Sequence, residues 1–123
     1  MSLQEFWAER HLCTVSTIRR DGTVHSVPVG ATYDLATGTA RIITSGKSQK
    51  VRNIGHNPQI AICQIDGRRW STLEGHATIE TDRAAVQDAE VRYAKRYKQP
   101  RANPERVVIM VTVTRVLGTY RPA

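Results

Sequence analysis

Ala40-Arg41-Ile42-Ile43-Thr44-Ser45-Gly46-Lys47-Ser48-Gln49-Lys50-Val51-Arg52-Asn53 is the stretch around which the chain is organised. It runs from an apolar strand segment, through small residues, into what reads as a short helix. Ser48 suits the N-cap, because its side-chain oxygen can accept from a backbone N–H two or three residues on. The charge there is unusual. Lys47, Lys50 and Arg52 crowd a helix N-terminus, whose positive partial charge normally favours Asp or Glu. A bound anion would resolve the conflict, since backbone N–H groups, hydroxyls and ammonium groups together cradle a phosphate. The plainer alternative is a surface turn with solvated lysines.

Outward from this stretch, the chain has 123 residues, enough for a single domain over 1–123 with a modest core. No run of about 18 apolar residues is present, which predicts no membrane span. Met1 to Arg10 lacks the basic-then-apolar layout of a secretory signal. Cys13 and Cys63 are the only cysteines, and both sit in apolar strand patterns. They read as buried, reduced thiols of a cytoplasmic protein. His11, His25, His56 and His76 are too scattered to predict a metal site. The net charge of +7 predicts an acidic partner: nucleic acid, an anionic membrane or an anionic small molecule. Arg92, Lys95, Arg96, Lys98, Arg101 and Arg106 concentrate the charge late in the chain, as a ligand site or as a solvated face.

Taken in order, Leu3 to Glu9 reads as a short helix and His11 to Ile18 as the first strand. Asp21-Gly22 is a two-residue hairpin turn. A second strand runs from Val24 to Tyr33, with Val27, Val29, Ala31 and Tyr33 alternating on one face. Within it, Pro28 cannot donate to a ladder and implies an edge or a bulge. Gly30 permits a close approach to the backbone, by a flat ligand or simply at a bulge. A turn at Leu35 to Thr39 leads to the third strand, Ala40 to Ser45. The helix from Gln49 stops before Asn57-Pro58. Gln59 to Ile65 and Arg69 to Glu80 are strands joined at Asp66-Gly67, the second bent at Gly75. Asp82 to Tyr97 is a helix with the stripe Val86, Ala89, Tyr93 and Tyr97. Val107 to Val116, apolar on both faces, is a central strand. Six strands linked mostly by hairpins predict a mainly β, antiparallel barrel.

This pattern resembles the flavin/deazaflavin oxidoreductase family with a split β-barrel, related to pyridoxamine 5'-phosphate oxidase. The resemblance rests on Val27-Pro28-Val29-Gly30, on Ile43 through Asn53, on His56-Asn57-Pro58-Gln59-Ile60-Ala61 and on Leu73-Glu74-Gly75. Arg69 to Gly75, Asp88 to Ala94 with Arg96-Tyr97, and Arg106 to Ile109 resemble the actinobacterial branch that uses the deazaflavin coenzyme F420, in particular its biliverdin reductases. The resemblance implies a homodimer with cofactor sites at the interface. It implies that Ser48, Gln49 and Lys50 hold a phosphate, with Lys47, Arg52 and Asn53 nearby. Pro28, Val29 and Gly30 would pack on the tricyclic ring, and Ile43, Thr44 and Ser45 would line its edge. Gln64 and Trp70 would reach in from the partner subunit. The substrate motif of true pyridoxamine 5'-phosphate oxidases is missing before the end at Arg121-Pro122-Ala123, which speaks against the vitamin-B6 reaction. F420 bears a phosphate and an acidic tail, whereas flavin mononucleotide has only the phosphate; residue types do not separate the two, so flavin mononucleotide stays the alternative, and the basic run from Arg92 to Arg106 favours F420.

No triad, metal cluster or carboxylate pair stands out, and hydride transfer needs none, because the cofactor carries the chemistry. No catalytic residue is assigned; Glu74, Asp66, His25 and His76 all have simpler structural explanations. Arg101, in the Pro100–Pro104 loop, is the candidate for binding substrate carboxylates. Other outcomes stay open: a reductase of another acceptor such as a quinone, or a cofactor- or haem-binding protein without turnover. A nucleic-acid-binding barrel fits less well, because the aromatics are few and mostly not interleaved with the basic residues.

Overall fold

Gly30 divides what the sequence pattern draws as one strand. The computed structural model describes residues 2–120, so Arg121-Pro122-Ala123 lies outside the described residues. Helix α1 (Leu3–Ala8) leads into β1 (Cys13–Ile18) and β2 (Val24–Val29). After Gly30 come β3 (Ala31–Asp34) and β4 (Thr39–Ser45), then α2 (Gln49–His56). Strands β5 (Gln59–Asp66) and β6 (Arg69–Glu80), helix α3 (Arg83–Arg96) and β7 (Arg106–Gly118) follow. The sheet therefore has seven strands rather than the expected six, in the order β2-β1-β5-β6-β7-β4-β3. The reason is a change of partner. Val29 pairs with Cys13 of β1, whereas Ala31, two residues on, pairs with Ile42 of β4.

β2 and β3 thus occupy opposite edges of the sheet but are joined through Gly30. The sheet must curl until its edges meet, and the barrel is closed there by the chain itself instead of by a ladder. Pro28, with no N–H to donate, sits on the edge strand as expected. Inside the curl, Val15, Ile42, Ile62, Leu73, Ile109 and Val111 are fully buried. β7 lies between β6 and β4, and α3 crosses β4 and β7. That accounts for its apolar character on both faces: Ile109 and Val111 face the core while Val108, alternating with them, faces the covered side.

The helices are fixed locally as well. Ser2 caps α1 in a reciprocal box with Glu5, and the Trp7 indole N–H donates to Ser71 Oγ at 3.0 Å. Ser48 caps α2 and Asp82 caps α3. The predicted α3 stripe holds: Ala89 is buried, and Val86, Tyr93 and Tyr97 are half-buried. Cys13 is buried, but Cys63 is only half-buried, on the opposite face of its strand.

The bend expected at Gly75 is a register shift in which Glu74 pairs with Arg115 and Gly75 with Val113, leaving Thr114 of β7 as the extra residue. A Cβ on Gly75 would stand 1.9 Å from the Thr112 carbonyl oxygen, a backbone atom of a central strand that cannot yield. Gly75→Ala should therefore destabilise the fold by roughly 1–3 kcal/mol, the usual cost of overpacking. A urea unfolding curve checks this through a lower midpoint at unchanged slope.

Candidate functional site

A cavity of about 500 Å³ opens at the seam where the barrel closes. Five elements converge on it. The β2–β3 junction supplies Pro28, Val29 and Gly30; the end of β4 supplies Ile43, Thr44 and Ser45; α2 supplies Lys50; and α3 supplies Tyr93. The segment before β7 adds Lys98, Gln99, Pro100, Arg101 and Asn103, and Arg106 opens β7. Pairing of Thr44 with Val107 and Ser45 with Arg106 brings the β4 end beside this segment. The Gly46 N–H donates to the Glu105 carbonyl at 2.8 Å, and Asn103 Oδ1 accepts from the Glu105 N–H at 2.9 Å.

The electrostatics of the cavity are one-sided. Arg106 is neutralised by Glu90 at 2.7 Å. Lys50, Lys98 and Arg101 make no ion pair among the described residues. Burial holds the Lys50 ammonium below its usual pKa. His25, on the inward face of β2, is likewise depressed, first by burial and then by the charges of Arg19 and Lys50; its buried Nδ1 has no hydrogen-bond partner among the described residues. A half-buried cation without a counter-ion, beside apolar wall and hydroxyls, is what an anionic ligand completes.

The structure sorts the expected site residues into two groups. Pro28, Val29, Gly30, Ile43, Thr44, Ser45, Lys50 and Arg101 line this one cavity. The others lie outside its lining. Lys47 is exposed and paired with Glu105 at 2.9 Å. Ser48 Oγ accepts from the Val51 N–H at 3.4 Å as the α2 cap. Arg52 donates to the Lys47 carbonyl at 2.8 Å and to Gln49 Oε1 at 2.6 Å. Gln49 donates to Asn53 at 2.7 Å, and buried Asn53 donates to Thr17 Oγ1 at 3.0 Å, tying α2 to β1. Gln64 is fully buried, donating to the Phe6 carbonyl at 2.8 Å and accepting from Arg96, so its side chain is spent within its own chain. Trp70 is 38% exposed on the outside of the barrel.

The close approach at Gly30 is made by the protein itself. A Cβ there would lie 2.8 Å from Tyr93 Cε2 and 3.1 Å from Tyr97 Cε2. Tyr93, Lys98, Gln99, Pro100, Asn103 and Arg106 are lining residues that motif reading passes over. The basic run and the tyrosine stripe were the available signals, but only the fold shows that they meet Gly30. A larger concavity, about 680 Å³, lies on the outer face of the sheet and includes Ser16, Glu74, His76 and Arg115. It carries both signs of charge, with Arg115 and Glu74 at 3.8 Å, and is not selective for an anion.

Because the folded-state pKa of Lys50 lies below its unfolded value, its charged form opposes folding at neutral pH, and this penalty fades as pH rises through the folded pKa. Lys50→Ala should then leave thermal stability of the free protein unchanged or higher. Affinity for a phosphate-bearing cofactor should fall roughly ten- to a hundredfold, the loss of one charge-assisted bond. Paired melting curves and fluorescence titrations with F420 and flavin mononucleotide measure both effects; unchanged affinity places the phosphate elsewhere.

Comparison with known proteins agrees with the fold. The family described as Pyridoxamine 5'-phosphate oxidase matches residues 2–120. An "F420H(2)-dependent biliverdin reductase" of Mycobacterium tuberculosis (strain CDC 1551 / Oshkosh) is 50% identical over 114 residues, 93% of this chain and 83% of that protein. A solved structure titled "F420 Reductase" is 25% identical, with a TM-score of 0.77 over 93% of this chain and 94% of its own. A conserved hypothetical protein of Mycobacterium tuberculosis shares the fold, with a TM-score of 0.78 and 24% identity over 96% of this chain and 84% of its own. With residues 2–120 matched by the family and half of 114 residues shared with that relative, the chain belongs to the pyridoxamine 5'-phosphate oxidase family.

Proposed function

We propose that this protein is an oxidoreductase that uses reduced coenzyme F420 to convert biliverdin to bilirubin. The observation that carries the proposal is the seam cavity, in which an apolar wall faces Lys50, Lys98 and Arg101, cations without ion-pair partners among the described residues. It stands in a chain half identical to an enzyme named for that reaction. The residues present fit the cofactor. Lys50 suits the phosphate, Pro28-Val29-Gly30 a flat ring, and Lys98 and Arg101 the carboxylates of an acidic tail or of the tetrapyrrole's propionates. Flavin mononucleotide would satisfy Lys50 and leave the other two cations without a counter-ion.

When bound, the reduced deazaflavin supplies a hydride. The chain's own part is to orient, to neutralise and to exclude water. Pro28, Val29 and Gly30 would hold the ring and leave the acceptor room to approach, since transfer needs the reacting carbons roughly 3–3.5 Å apart. Positive charge around the cavity stabilises negative charge that develops on the acceptor, and solvent at the open side supplies the proton. Ser48, Gln49, Arg52 and Asn53 serve by fixing α2, and with it Lys50.

The site is completed by a second copy of the chain. Leu12, Ile65 and Trp70 are exposed at 69%, 66% and 38%, and lie together where β1 and β6 begin and β5 ends. A homodimer would cover this patch, Trp70 included. Among the described residues no helix is long and apolar enough to cross a membrane, and the free cysteines suit a reducing, cytoplasmic setting.

Anaerobic mixing of protein, reduced F420 and biliverdin should produce bilirubin absorbance. Rapid reduction of a quinone without bilirubin would keep the cofactor and remove this substrate. Arg101→Gln should raise KM for biliverdin more than it lowers kcat, because propionates lie far from the reacting carbon. Sedimentation at micromolar protein should give twice the chain mass; a monomer with full cofactor affinity contradicts the shared site.

A further inference from the structure

Arg96 is a charged side chain buried to 8% exposure, and it makes no ion pair among the described residues. A buried guanidinium without a carboxylate is costly unless every N–H is used. Here each nitrogen reaches a neutral acceptor on a different element. Nε donates to the Glu9 carbonyl at 2.8 Å, Nη1 to the Ala31 carbonyl at 2.5 Å, and Nη2 to Gln64 Oε1. Trp7 and Tyr97 offer it their ring faces at 5.1 and 5.2 Å. Tyr97 extends the arrangement. Its hydroxyl donates to the His11 carbonyl at 2.6 Å and accepts from the Ala31 N–H at 3.1 Å.

Ala31 is the residue at which the chain enters the second edge of the sheet, next to Gly30 of the cavity wall. Both of its backbone polar groups are bonded by α3-end side chains. No ladder from β2 reaches Ala31, because β2 ends at Val29 on the other edge.

We propose that Arg96, with Tyr97, is a positioning residue for cofactor binding: it fixes the seam at Gly30–Ala31 and so sets the wall on which the ring rests. Resting on the seam cavity as the cofactor site, it adds a residue that touches no ligand. Lysine cannot replace it, because one ammonium cannot reach three acceptors held in a planar fork.

The test compares Arg96→Lys and Tyr97→Phe with Val111→Ala, a core variant away from the cavity. Melting curves, cofactor titrations and amide exchange are measured for each. The seam variants should lose exchange protection at Ala31 and bind cofactor roughly ten- to a hundredfold more weakly, as misplacement of a binding wall does. Val111→Ala should lower the melting temperature without changing cofactor affinity. Unchanged affinity in the folded seam variants overturns the proposal, since a purely structural role lowers only stability. If Arg96→Lys does not fold, Tyr97→Phe, which removes a single hydroxyl, decides by the same readings. If the unaltered protein binds neither F420 nor flavin mononucleotide, the cofactor assignment falls separately, and unaltered protection at Ala31 in the seam variants then overturns the positioning role.

Discussion

The structure depends on one connection: Val29 and Ala31 belong to opposite edges of the same sheet and are held together through Gly30. An open seven-stranded sheet would leave two edges of unpaired backbone groups. Here the covalent link forces the edges together, and α3 covers the join. Gly30 has room for no side chain, because Tyr93 and Tyr97 fill the space. The cavity is a product of this closure. A ladder across the seam would have no gap to line, and an unclosed sheet would have no cavity.

Charge and shape then divide the labour. The apolar wall comes from the edge strand, where Pro28 costs no ladder bond. The cations come from segments of different kinds: Lys50 from a capped helix, Lys98 and Arg101 from the segment between α3 and β7. Most other basic groups in the neighbourhood are already bonded, Lys47 to Glu105 and Arg106 to Glu90. What distinguishes the site is therefore the small set of cations left without ion-pair partners among the described residues. For Lys50 this shows in the depression of its pKa by burial.

Much of this was legible in the sequence because it is local. Asp-Gly turns, the Ser48 cap, the Asn57-Pro58 stop and the alternation of β-branched residues act over a few positions, and the observed elements follow them closely. The strand break at Gly30 was not legible, since Val24 to Tyr33 alternates without interruption and only pairing reveals the change of edge. By sequence the basic stretch suggests one cradle, yet side-chain direction splits it: Lys50 faces the cavity while Gln49, Arg52 and Asn53 bond within or beneath α2. Gln64 has the composition of a site residue and the environment of a core one. By sequence Arg96 belongs to a basic run that is either a ligand site or a solvated face. Its burial depends on acceptors from the residue capping α1, from β3 and from β5, which no sequence window contains.

The most direct measurement is a map of backbone amide shifts on adding coenzyme F420 to the labelled protein. If the seam is the functional site, the largest changes fall at Gly30, Thr44, Ser45, Lys50 and Arg101. Changes confined to Ser16, Glu74, His76 and Arg115 would place binding on the outer concavity and contradict it.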